Sequence, residues 1–179
     1  MTDRGGNTFL RDLKSTLATK RGWQGPAWHD FVEQLSTPQG AHLASIITAR
    51  EHSPETIYSG LKFLKQQGLI RYLPPRRNLF AVNRVGASVD GEPLTGTTPA
   101  RKLAVQQRLL DDLQVRAQRQ HGQRQVWHFS DDTWENYAAT RDGLSPELKS
   151  GRWPNVDIVV HYTGTADPAH RPEVVTLAR

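Results

Sequence analysis

The stretch SPETIYSGLKFLKQQGLI, residues 53–70, leaves this chain the least conformational freedom. Ser53 followed by Pro54 is a helix start: the hydroxyl can accept a bond from an orphan backbone N–H, and proline suits the first helical position. Ile57, Leu61 and Leu64 then recur at i, i+4 and i+7, with Phe63 beside them, so one stripe of the helix is buried. Gly68 is the stop, because glycine takes positive φ without a Cβ clash. The opposite face carries Glu55, Thr56, Tyr58, Ser59, Lys62 and Lys65. A helix lying in a DNA major groove needs this layout, with short polar groups reaching base edges and lysines meeting phosphates.

On the N-terminal side, Leu43, Ile46 and Ile47 fall at helical spacing and predict a preceding helix. On the C-terminal side, residues 69–73 and 79–82 predict two strands. Pro74, Pro75, Arg76, Arg77 and Asn78 between them predict a stiff turn with two guanidinium groups at its tip. Two helices followed by a basic hairpin resemble a winged helix-turn-helix. Ser53, Thr56, Ile57, Leu61, Leu64, Gly68, Leu69 and Ile70 are in register with S-x-x-T-I/V-x-x-x-L-x-x-L-x-x-x-G-L/I-I/V, the general recognition-helix pattern of winged-helix regulators. The resemblance spans residues 26–86. It implies binding to double-stranded DNA through Ser53, Glu55, Thr56, Tyr58, Ser59, Lys62, Lys65, Arg71, Arg76, Arg77 and Asn78, although some winged helices bind protein instead. Gly60 departs from the usual residue in mid-helix, where glycine costs about 0.5–1 kcal/mol relative to alanine. A close approach to DNA or to the preceding helix would account for it.

The charge follows the same division. Residues 1–86 hold 12 Lys and Arg against 6 Asp and Glu, while residues 87–179 hold 11 against 12. A net +6 beside a net −1 is the asymmetry expected when only the first half meets a polyanion. The absence of cysteine excludes disulfides, thiolate nucleophiles and cysteine-bound zinc. No apolar run approaches the roughly 18 residues that span a bilayer, and no signal segment opens the chain. A cytoplasmic protein with no membrane partner is expected.

The 179 residues allow one or two small domains. Residues 1–25 form an N-terminal extension in which Phe9, Leu10, Leu13 and Leu17 share a helical face. It is a helix packing on a partner subunit, a basic arm carrying Lys14, Lys20 and Arg21, or a helix completing the core. Trp28, Phe31, Val32 and Leu35 mark the first helix of the domain, which Thr37 and Pro38 close. His29, His42 and His52 lie 13 and 10 residues apart and match no compact ligand pattern, so no metal site is expected. Residues 87–99 are rich in Gly, Pro and Thr and predict an interdomain linker.

Thr98 and Pro99 start the longest predicted helix, over residues 100–120, with Leu103, Leu109, Leu110, Leu113 and Ala117 as its apolar stripe. Winged-helix regulators commonly dimerise through a helix after the wing, so the resemblance implies a homodimer there; packing within the C-terminal half is the alternative. Next come a strand over residues 125–129, a short helix through Trp134 and Tyr137 capped by Ser130, Asp131 and Asp132, and a separate helical turn starting at Ser145 and Pro146. Strands over residues 156–162 and 173–177 follow. The expected fold class is α+β: a winged helix-turn-helix, then a long helix and a small α+β C-terminal domain over residues 100–179.

One constellation there bears on chemistry. Asp157 and Glu173 on successive strands resemble the carboxylate pair of the PD-(D/E)xK nucleases, which hold Mg²⁺ to activate water. The position of that family's lysine, two residues after the Glu, is Val175, so no catalytic site is expected. His121, His128, His161 and His170 are scattered, and no phosphate loop, H-E-x-x-H or G-x-S-x-G occurs. Trp127, Phe129, Trp134, Tyr137, Trp153 and Tyr162 read as core, with a few available to line a ligand or partner pocket. The leading expectation is sequence-specific DNA binding by a homodimeric transcription regulator without a cofactor. The second is a DNA-docking adaptor of a replication, partition or mobile-element complex, whose C-terminal domain binds another protein. The third is a degenerate metal-dependent nuclease.

Overall fold

A computed structural model describes residues 10, 13–15, 17, 27–164 and 169–178. The chain divides into two compact units, residues 1–87 and 88–179, with mixed α and β structure.

In the first unit, α1 (Trp28–Gln34) and α2 (Pro38–Leu43) precede a three-residue strand, β1 (Ile46–Thr48). Then follow α3 (Pro54–Gln66), a 3-10 turn (Arg76–Asn78) and β2 (Leu79–Ala81). Helix α3 starts and stops as its residues dictate. The Ser53 hydroxyl accepts from the Thr56 amide at 3.2 Å, and Pro54 opens the first turn. At the other end Gly68 has φ +71°, its amide donates to the Lys65 carbonyl, and the Leu69 amide donates to Leu64, both at 3.0 Å. This pair of bonds is a Schellman stop, and it satisfies two orphan carbonyls. Ile57, Leu61 and Leu64 enter a core with Leu35, Ala41, Ile70 and Leu79. Gly60 is buried in this unit.

Four local expectations change. The helix expected over Ile46 and Ile47 ends at Leu43, because Ile-Ile-Thr is a run of β-branched residues that prefers a strand. Residues 69–73 form no strand: the Tyr72 amide donates instead to the Leu35 carbonyl at 2.9 Å. Strand β2 pairs in parallel with β1, with Ile46 opposite Leu79 and Thr48 opposite Ala81. The predicted basic hairpin is therefore not formed. Pro74 and Pro75 have no N–H to continue a ladder, and a parallel pair needs a crossover, which α3 supplies. Thr37 does not merely close α1, because its hydroxyl caps α2 by accepting from the Gly40 amide at 3.0 Å.

Before α1, the described residues of segment 10–17 are helical, and Leu13 and Leu17 pack on this core. The Lys14 ammonium lies 5.4 Å from the Phe63 ring centroid. Of the three readings of the extension, completion of the core is the one these contacts match; Phe9, Lys20 and Arg21 lie outside the described residues.

The second unit begins with a short hairpin of β3 (Ser88–Val89) and β4 (Glu92–Pro93), where composition predicts a linker. An ion pair from Asp90 to Arg108 ties its turn to α4 (Thr98–Arg119). Thr97, one residue earlier than expected, is the cap of α4. Strand β5 (Gln125–Asp131) leads into α5 (Trp134–Lys149), one continuous helix with Pro146 in its last turns. The Ser145 hydroxyl donates to the Arg141 carbonyl at 2.6 Å there, which joins the two pieces expected from sequence. Strands β6 (Val156–Tyr162) and β7 (Glu173–Leu177) complete a sheet of order β5-β6-β7, parallel then antiparallel.

Helices α4 and α5 cover one face of this sheet. Val156, Ile158, Val160 and Tyr162 alternate inward and are buried. Leu110 and Ala117 of α4 are fully buried within the unit, and Leu103 packs where a side chain at Gly143 of α5 would otherwise sit. Part of the apolar stripe of α4 is thus used inside one chain, while Leu103, Leu109 and Leu113 are half-buried.

A polar seam also runs between these helices. The Lys102 ammonium meets the Asp131 carboxylate at 2.6 Å with both side chains buried. Asp131 also accepts from the Thr133 amide at 2.9 Å and from Asn136 Nδ2 at 3.1 Å. Deeper in, Thr140 Oγ1 and Gln106 Oε1 lie 3.0 Å apart.

Tyr137, fully buried, has its phenol pushed up to about 12, first by burial and then by the neighbouring Glu173 carboxylate. A pKa raised on folding means stability that is complete below about pH 10 and is lost as pH rises towards 12. Spectrophotometric titration should find a tyrosine step near pH 12 that Tyr137→Phe removes. A titration that Tyr137→Phe leaves unchanged near pH 12 would contradict the burial described.

Candidate nucleic-acid interface

At 100° per residue, Glu55, Tyr58, Ser59, Lys62 and Lys65 occupy about 120° of the circumference of α3. Glu55, Lys62 and Lys65 are exposed, and Tyr58 and Ser59 are half-buried at the margin. Thr56 falls outside this sector. Its hydroxyl lies 3.1 Å from Ser53 Oγ, and Ser53 accepts from the Thr56 amide at the helix cap.

Tyr58 is the point where distant parts of the sequence meet. The Arg76 guanidinium lies 4.7 Å from its ring centroid, and the Lys62 ammonium lies 5.8 Å from it. Cation–π attraction to one ring holds two positive charges on the same surface, where mutual repulsion would otherwise part them. Arg76 comes from the 3-10 turn, so the turn and helix that the sequence singles out separately do share one face, although no hairpin carries the turn.

The remaining candidates divide by what they already touch. Asn78 Nδ2 donates to the His42 carbonyl at 3.1 Å and to the Ala44 carbonyl at 3.0 Å. Those carbonyls lie at the exit from α2, so Asn78 fixes the turn against it. Arg77 is exposed, with Nη2 3.3 Å from His42 Nε2. Arg71 is exposed and stacks 5.5 Å from the Tyr72 ring. The exposed basic candidates are Lys62, Lys65, Arg71, Arg76 and Arg77, of which Lys62 and Arg76 meet at Tyr58, with Glu55 the single acid among the candidates. Geometry of this kind binds phosphate oxygens by charge-assisted bonds and offers Tyr58 and Ser59 as short-range polar groups.

The carboxylate pair of the second unit does not assemble. Glu173 pairs with Tyr162, five residues along β6 from Asp157 and on the opposite face of the sheet. That separation is about 17 Å at the usual rise per residue, too far for a shared metal. Asp157 is instead bound by Arg124, with Nε to Oδ2 at 2.9 Å.

One pair of residues escaped the sequence reading. His128 on β5 and His161 on β6 share the outer sheet face, with His128 Nδ1 3.1 Å from His161 Nε2. The signal was available only in part. Each histidine alternates outward in a strand of known bounds, but parallel register, which the sequence does not declare, decides that they touch.

Comparison with protein-family models, curated proteins and solved structures finds no match to the chain. Among the described residues, no helix is long and apolar enough to cross a membrane.

Proposed function

We propose that the first unit binds double-stranded DNA, with α3 addressing a groove and the 3-10 turn meeting phosphates, in the service of transcription regulation. The observation that carries this reading is the cluster at Tyr58, which gathers Lys62 and Arg76 onto one exposed basic face. The concentration of net charge in residues 1–86 supports it independently. The reading dispenses with the hairpin of a winged helix and with a dimer seam on α4.

Sequence preference resides in Tyr58, Ser59 and Lys62, the residues of that face able to reach base edges. Selection of bound duplexes from a random pool tests it. At least one of Tyr58→Ala, Ser59→Ala and Lys62→Ala should relax preference at a defined position, worth about 1–3 kcal/mol of discrimination. If all three scale affinity equally for every duplex, binding is non-specific and the regulator reading fails.

A second reading, a DNA-docking adaptor, is favoured by one observation in the second unit. Its outer sheet face leaves Val126 57% and Val174 62% exposed. Such a face suits a protein partner, and co-purification of one with the isolated chain would choose adaptor over regulator.

A further inference from the structure

The sheet of the second unit is covered by helices on one side only. Its other side presents Val126, His128 and Ser130 from β5, Asp157, Val159 and His161 from β6, and Val174 and Thr176 from β7. Parallel register sets His128 opposite Val159 and His161 opposite Ser130, so the two imidazoles are diagonal neighbours. Their rings lie 5.4 Å apart between centroids, and two ring nitrogens approach to 3.1 Å.

Two nitrogens at that distance have a chemistry beyond a hydrogen bond. Zinc and its neighbours bind imidazole nitrogen at about 2.0–2.1 Å, so a tetrahedral ion holds two such nitrogens about 3.3 Å apart and a right-angled one about 2.9 Å apart. The observed 3.1 Å lies between these values. Both donors stand on adjacent hydrogen-bonded strands, so little backbone adjustment is needed to aim them at a common ion. Asp157, the one carboxylate on this face, is engaged by Arg124, and the described residues contain no group of three or more ligands. The coordination sphere would therefore be two imidazoles completed by water, an exchangeable site and not a closed structural one.

The geometry points to a binding site for one borderline divalent transition ion, of the Zn²⁺, Ni²⁺ and Cu²⁺ class, formed by His128 and His161. Neutral imidazole is the ligand these ions prefer, whereas Mg²⁺ and Ca²⁺ seek oxygen and have no anchoring set here. The site lies in the second unit and does not depend on the DNA-binding reading.

Calorimetric titration of the whole chain with Zn²⁺ tests it, with Mg²⁺ as the control. One equivalent of Zn²⁺ should bind and raise the melting temperature of the second unit, since an ion that binds only the folded state stabilises it by mass action. His128→Gln and His161→Gln should each weaken that binding by at least about a hundredfold, because two donors on a rigid strand pair act as a bivalent binder. His170→Gln should leave it unchanged. Both substitutions lie on a solvent-facing surface, and their melting temperatures without metal report that the fold is intact. Zn²⁺ uptake that survives in His128→Gln, that yields to His170→Gln, or that Mg²⁺ matches would overturn the site.

Discussion

Asp131→Ala is expected to destabilise the second unit by about 3–5 kcal/mol, the range for breaking a buried ion pair from one side. Asp131 and Lys102 are buried together at 2.6 Å, so removing the carboxylate leaves an ammonium with neither water nor a counter-ion. It also orphans the Thr133 amide and Asn136 Nδ2, both of which Asp131 accepts at the start of α5. Lys102→Ala should cost a comparable amount, for the reciprocal reason. The double change Lys102→Met with Asp131→Leu should cost much less than the sum, since an apolar pair of similar volume spares the desolvation of two charges. Domains of this size have a total stability of about 5–15 kcal/mol, so either single variant should shift the urea midpoint visibly. A loss below about 1 kcal/mol for Asp131→Ala would mean that the pair is hydrated in solution and that the seam between α4 and α5 is looser than described.

The second large effect concerns the basic face. Replacing Lys62, Lys65, Arg76 and Arg77 together with alanine should weaken duplex binding by more than about a hundredfold at low salt, because each residue is placed to neutralise a phosphate. All four are exposed, and none enters the buried core, so the fold should survive. Affinity should fall for random as well as preferred duplexes, whereas Ser59→Ala alone should act on preference. Fluorescence anisotropy with a labelled duplex checks both points. Affinity within a few-fold of the parent would remove this face from the binding surface.

How much of this was legible in the sequence depends on how far each interaction reaches. The limits of α3 were readable because Ser53, Pro54 and Gly68 act within a turn of their own positions. Strands β6 and β7 were readable because apolar β-branched runs bounded by turn residues admit few other states. The partner of β2 was not readable, since a strand of three residues declares neither direction nor mate. Proximity in sequence favoured a hairpin with residues 69–73, yet the ladder forms with β1 across the whole of α3. The stripe on α4 was seen, but not its destination: a leucine at helical spacing looks the same whether it meets α5 or another subunit. Tyr58 and Arg76 were both named as candidates, and only the crossover that brings β2 back to β1 explains why they meet.

The measurement that tests DNA binding through α3 most directly is a salt series of duplex affinity for the parent chain and the four-residue variant. Each phosphate contact contributes about −0.9 to the slope of log affinity against log salt. The parent should show a steep negative slope, and neutralising Lys62, Lys65, Arg76 and Arg77 should make it shallower by about three to four units. A parent slope near zero, or the same slope in both proteins, would contradict the assignment of this face to DNA.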